Sequence, residues 1–313
     1  MKNILRAAAI ISAVSLLQAC ATAPADKKTA QAPAKVYSRS VASMGLNQVQ
    51  ASSCPKTMKS QEFYAKSDWK ELIGLANACV KGERWAHVEA FAEMLSIRDP
   101  KAPWGAYYWA LAAEYRNDMA RALWMIELAV KKAPDVGILH FQKGRLLWKE
   151  DSHSPAMEAL VKAVQLDGSL TEAHVFLGQI YFRDQEYAKS TQHFYTALQS
   201  RPSDPIALSG LAESRLQAGD TSGAIEAMKR ASLAYPDRYE FPLREAYIFE
   251  TVLGDKVQAL QAYKTAMGII SSKRIKGATV STVEKKIAEL EKVTRQPTSA
   301  VADKKAPVPE VKR

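Results

Sequence analysis

Leu170–Pro202 reads LTEAHVFLGQIYFRDQEYAKSTQHFYTALQSRP, and this stretch decides the fold. Two segments with helical spacing, Ala173 to Arg183 and Tyr187 to Gln199, flank the polar run Asp184-Gln185-Glu186 and are closed by Arg201-Pro202. Proline has no amide hydrogen and its ring clashes with a preceding turn, so the second helix must end there. Sliding the chain along itself brings further copies into register. One column holds Leu75, Ala110, Gly144, Gly178, Ala212 and Ala246; a second holds Phe91, Ile126, Leu160, Phe194, Met228 and Tyr263; a third holds Met94, Ala129, Ala163, Ala197, Ala231 and Ala266. Successive members stand 34 or 35 residues apart throughout. Small residues in two columns let paired antiparallel helices approach closely, and the large apolar residue of the other fills the space toward the next pair.

The copy at Leu170–Pro202, with Leu177, Gly178, Tyr181, Phe194, Ala197 and Pro202 in place, resembles the tetratricopeptide repeat; Ser190 stands where the family carries a small alanine. The copies on either side agree at Gly144, Ala156, Leu160 and Ala163, and at Leu211, Ala212, Ala224, Met228, Ala231 and Pro236. The outer copies, near 68–100 and 238–267, are degenerate, and Pro242 places the start of the last first helix at that residue. The resemblance implies an all-α, right-handed superhelical solenoid of about six helix-turn-helix repeats over residues 67–270. A helix over 279–295 is expected to cap it. Ser281 and Glu284 form a capping-box pattern there, and Val283, Ile287 and Leu290 share one face. In this family the first helix of each repeat lines a concave face that holds peptide segments. The corresponding positions are Trp104, Tyr107, Leu111 and Tyr115, then Phe141, Arg145 and Trp148, then Val175, Gln179, Phe182 and Arg183. Aromatics with two arginines suit a peptide carrying apolar anchors and an acidic group.

The address lies at the start of the chain. Lys2 and Arg6 precede an apolar run from Ala7 to Leu17, which is signal-peptide length and too short to span a bilayer. It ends Leu17-Gln18-Ala19-Cys20, which resembles the lipobox of bacterial lipoproteins; an ordinary secretory signal with a chance cysteine is the other reading. The resemblance implies a signal peptide over 1–19, lipidation of Cys20, and a membrane anchor of several acyl chains. Ala21 in place of aspartate implies sorting to the outer membrane. Residues 20–60 and 296–313 lack periodicity and are rich in small, polar and charged residues, so they read as a flexible tether and a disordered tail. Cys54 and Cys79 remain, either as a disulfide pinning the tether to the first helix or as two free thiols; export favours the disulfide.

The chain carries 43 basic and 33 acidic residues, a formal charge of +10. The excess is terminal: residues 67–295 hold 30 basic and 29 acidic residues. An electrically balanced body argues against nucleic acid as a partner. Metalloprotease, paired-cysteine, phosphate-loop and nucleophile-elbow motifs do not occur in the sequence. His140 and His174, 34 residues apart, could approach one another, but at that position the family packs an aromatic ring, and histidine in its place is the expected reading. The expectation is therefore a protein without catalytic, metal or cofactor site, facing the periplasm from the outer membrane and binding protein partners. The order of lipobox, tether and six repeats resembles the lipoproteins that pilot type IV pilus secretin subunits. An adaptor for cell-wall hydrolases or proteases and a polysaccharide-export scaffold are the alternatives.

Overall fold

A computed structural model describes residues 53–58, 64 and 67–295. The signal segment, Cys20, most of the tether and the tail from 296 onward lie outside the described residues. Those described form thirteen α-helices and no strand. The first helices of the repeats are α1 (Trp69–Lys81), α3 (Trp104–Tyr115), α5 (Gly137–Lys149), α7 (Thr171–Arg183), α9 (Pro205–Gln217) and α11 (Glu240–Thr251). The second helices are α2 (Trp85–Arg98), α4 (Met119–Lys132), α6 (His153–Leu166), α8 (Tyr187–Ser200), α10 (Thr221–Ala234) and α12 (Lys256–Ser272), and α13 (Ala278–Thr294) follows.

Each helix packs chiefly on its neighbours in chain order. The three sequence columns are the seam: every member is buried except Met94, which is half-buried. In the fourth repeat Phe194 fills the space between Gly178 of α7 and Gly210 of α9, and a Cβ at either glycine would press on its ring. Four apolar clusters result. The first runs from Tyr64 to Leu146; a small one holds Leu160, Leu177 and Ile180; the third spans Phe194 to Ile248; the last spans Ala246 to Leu290.

The turns inside the repeats also keep register. Glu83, Asn117, Asp151, Gln185, Gly219 and Gly254 each adopt positive φ, between 53° and 85°. The residue after each donates its amide back to the last helical turn, for example Glu186 to the Tyr181 carbonyl at 2.8 Å and Asp220 to that of Arg215 at 2.8 Å. This is a Schellman closure: it satisfies the orphan carbonyls of the first helix and reverses the chain into the second. Asp118, Asp220 and Asp255 then accept amides at the start of α4, α10 and α12.

Both ends depart from the sequence reading. Residues 53–58, assigned to the tether, pack on the first repeat. Cys54 is disulfide-bonded to Cys79 of α1, and Arg84 donates to the carbonyls of Pro55 and Lys56 at 2.9 and 2.8 Å. Cys54 and Met58 pack on the first cluster beside Tyr64, whose ring meets that of Phe91 edge-on at 5.3 Å. At the other end α11 starts at Glu240, two residues before Pro242, because proline is tolerated anywhere in a first turn whose amides have no helical acceptor. Helix α13 starts at Ala278 after Gly277 at φ 126°, so Ser281 and Glu284 lie inside the helix and form no capping box. Val283 and Leu290 are buried against α11 and α12, and Lys286–Glu250 and Lys264–Glu291 pairs flank them.

Candidate functional site

The concave positions on the first helices divide into a charged stretch, an aromatic stretch and an open cleft. On α3, Trp104 and Tyr107 were expected on the groove but are buried, at 7% and 8% exposure. They pack edge-to-face with one another at 6.0 Å, and Tyr107 meets Tyr108 at 5.2 Å. Both rings belong to the first apolar cluster, which they are large enough to reach from these positions; burial pushes the Tyr107 phenol up to about 12. Leu111 is half-buried against the same cluster, and Tyr115 is exposed but stacked on Trp85 at 4.5 Å.

Glu114, next to Tyr115, organises the charged stretch. Arg145 grips its carboxylate with both terminal nitrogens, and Lys149 and Gln142 add a hydrogen bond each. Burial alone would raise the Glu114 carboxyl, but the two cations outweigh it and hold the group below the usual range. Arg145 is thus committed to an internal pair and is not free to meet a ligand anion. Phe141 and Trp148 are half-buried around Phe176, each ring 6.3 Å from it, and the Arg183 guanidinium lies 4.3 Å over Trp148 while pairing with Asp184 at 3.0 Å. Val175 packs on the third apolar cluster.

The open part lies further along the array than the sequence placed it. A cleft of about 350 Å³ is lined by Gln179 and Phe182 of α7, Phe194 of α8, Pro205, Ile206, Ser209, Gly210 and Glu213 of α9, and Arg238 and Phe241 at α11. At its base lie Gly210 and, beneath it, the buried Phe194 ring. Its walls are Phe182, Ile206 and Phe241, and Ile206 is 54% exposed. Two charges stand at its edge. Glu213 is paired with Arg244. Arg238 lies 5.1 Å from the Phe241 ring and 3.7 Å from Glu240, with 42% of its side chain exposed, so its charge remains available. Of the expected groove residues, only Gln179 and Phe182 line this cleft. Ser209 and Glu213 follow Val175 and Gln179 by one repeat, so extending the register would have found them; Arg238 precedes its helix and carries no such signal.

Residues 181–240 match the family model of the tetratricopeptide repeat. The fold is a tetratricopeptide-repeat solenoid. The C-terminal part of a TPR repeat-containing protein from Cytophaga hutchinsonii superposes with a TM-score of 0.58 at 16% identity, covering 71% of this chain and 88% of that one. The pilF protein of Pseudomonas aeruginosa gives a TM-score of 0.55 at 12% identity, covering 75% of this chain and 100% of that one. In the Cut9–Hcn1 hetero-tetramer of the APC/C, one chain gives 0.51 at 13% identity, over 75% of this chain and 45% of that one. At such identities the solenoid is shared and the groove chemistry is this chain's own. Among curated proteins no sequence matches it.

Proposed function

We propose that this protein is a non-catalytic adaptor, anchored through lipidated Cys20 to the outer membrane and facing the periplasm, that holds a protein segment in the cleft over α7, α9 and α11. The observation that carries the reading is the cleft itself: an apolar floor and walls with one loosely held cation, Arg238, at the edge. A peptide offering a large apolar side chain beside a carboxylate satisfies both features. The lipobox, the tether and six repeats resemble pilotin-type lipoproteins of type IV pilus assembly, and the solenoid shared with the Pseudomonas aeruginosa pilF protein supports that role over the hydrolase, protease and polysaccharide-export alternatives.

A photo-crosslinking residue placed at Ile206 in the lipidated protein should trap a partner in the envelope, whereas the same residue at Trp124, 61% exposed on α4, should not. The trapped protein's identity separates a secretin subunit from a hydrolase, protease or export component. Equal trapping at both sites, or none at Ile206, would remove the cleft from the reading. Cys20→Ser should shift the protein from the membrane to the soluble fraction; continued palmitate labelling of that variant would refute the anchor.

A further inference from the structure

The turn between α11 and α12 departs from the other five. It carries one residue more: eight positions separate Ala246 from Gly254, whereas seven separate Gly178 from Gln185 and Ala212 from Gly219. The closing hydrogen bond lengthens to match, with Asp255 donating to the Phe249 carbonyl six residues back at 2.8 Å, where Asp220 reaches back only five. The chemistry changes as well. Ahead of the left-handed residue the other turns present Lys81, Arg116, Glu150, Asp184 and Gln217; here stand Val252 and Leu253. Val257 follows, at a position that alanine or serine fills in the other second helices. These three are 47%, 50% and 65% exposed, and Tyr247, one turn earlier on α11, is 55% exposed. Lone exposed apolar side chains are ordinary on a protein surface, but three within six residues, on a turn that is polar in every other repeat, form a patch.

Helix α13 points toward this patch. A five-residue turn, 273–277, joins α12 to α13, and Lys264 midway along α12 pairs with Glu291 near the end of α13 at 2.6 Å. The two helices therefore run antiparallel, and α13 heads back toward the start of α12 and the turn before it. The Lys286–Glu250 pair, at 2.7 Å, holds α13 against the last residues of α11. Val293, in the final turn of α13, is 45% exposed. The chain thus leaves α13 toward Val252, Leu253 and Val257, and what it carries next suits them. Residues 296–313 include Val301, then Ala306-Pro307-Val308-Pro309, then Val311. Proline has no amide hydrogen and a fixed φ, so such a segment lies extended on apolar side chains with few donors to satisfy and little conformational freedom to lose. An exposed aromatic ring such as Tyr247 is a favourable seat for it. As a coil, the twelve residues from Arg295 to Pro307 would span about 20 Å, enough to pass from a helix end to the neighbouring turn.

We propose that residues 301–311 fold back over the α11–α12 turn, with Val301 and the Pro307-Val308-Pro309 segment covering Val252, Leu253 and Val257. The chain's own segment is the occupant because it starts on the side where the patch lies. Tethered this near, it competes at an effective concentration on the order of millimolar, which a second copy at micromolar concentration does not match. The cover rests on neither the cleft nor the lipid anchor.

Photo-crosslinking in the purified full-length protein, at low micromolar concentration and without any partner, tests the contact. A photo-crosslinking residue at Leu253 should join residues 301–311 of the same molecule, mapped by mass spectrometry. The same residue at Ala218, the exposed counterpart in the preceding turn, should join them at least about fivefold less. Val308→Glu keeps the length of the segment and lies outside the helices, yet it should lower the Leu253 crosslink at least about fivefold, since an apolar contact gives way to a charge. Crosslinks chiefly between two molecules would make a second copy the occupant and overturn the proposal. So would no crosslink to 301–311, an equal yield at Ala218, or a yield indifferent to Val308→Glu, which would leave proximity without contact.

Discussion

Gly210→Ala is the most discriminating perturbation of the seam. Within a helix, alanine in place of glycine normally gains about 1 kcal/mol, since it removes backbone freedom from the unfolded chain. At residue 210 the new methyl would stand 2.2 Å from Cζ of Phe194 and 2.5 Å from both Cε atoms. The ring has little room to swing away, because the α7 backbone stands so close on its other side that even a Cβ at Gly178 would lie only 3.0 Å from it. Overpacking of this kind costs about 1–3 kcal/mol, so the net effect should be destabilising by up to about 2 kcal/mol. Phe194→Ala alone should cost about 3–5 kcal/mol. In that background the methyl enters vacated space, keeps its helical gain and fills part of the void, so the sign reverses and the two sites couple by about 2 kcal/mol. Urea unfolding followed by far-ultraviolet circular dichroism on the four proteins of the cycle measures this, with Phe194→Leu as the milder background. If Gly210→Ala stabilises by about 1 kcal/mol whether or not the ring is present, the seam is not packed as described.

Three further outcomes follow from the structure. Cys54→Ser with Cys79→Ser opens a loop of sequence separation 25, which should cost about 3–4 kcal/mol, and reductant should lower the wild-type urea midpoint by a matching amount while leaving the double variant unchanged. Gln185→Gly relieves a left-handed non-glycine turn at φ 63° and should raise stability by about 0.5–1 kcal/mol, read as a higher melting temperature. Glu114→Ala leaves Arg145 and Lys149 without their shared carboxylate, and since both remain partly open to water the cost should be about 1–3 kcal/mol. Because Glu114 is held low in the folded state, the wild type keeps this contribution above the ordinary carboxylate range and loses it as pH falls below, so the difference between the two proteins should narrow in acid.

The array was legible because one physical requirement repeats. Close helix pairs demand a small residue at Gly178 and Ala197 and a large one at Phe194, and the demand returns at each step of 34 or 35 residues. The left-handed turn is a column of the same period, but Glu83 and Gln185 conceal it, since only Gly219, Gly254, Asn117 and Asp151 carry a recognisable signal for positive φ. The groove was less legible. Register states which face of a helix a residue occupies, yet not whether a bulky ring on that face turns inward. Trp104 and Tyr107 are large enough to reach the core from a groove position, and Arg145 is claimed by Glu114, a residue with no aromatic or basic mark to single it out. Polar ends follow no period at all, which is why residues 53–58 read as tether.

Phe194 has two duties, and this constrains how the cleft can be probed. Its buried ring completes the seam between α7 and α9 and also lies among the residues lining the cleft. Truncating it would weaken binding by destabilising the fourth repeat, which carries no information about a ligand. Ile206 is the better site. It is 54% exposed on the cleft wall and belongs to none of the seam columns, so Ile206→Glu should alter stability by no more than about 0.5 kcal/mol. The same substitution sets a carboxylate against the apolar anchor the cleft is shaped to receive. Loss of partner trapping by a photo-crosslinking residue at Ser209, another lining position, with an unchanged melting curve therefore assigns the cleft to binding, whereas a lowered melting curve with that trapping intact per folded molecule would make Ile206 structural and move the binding surface elsewhere on the array.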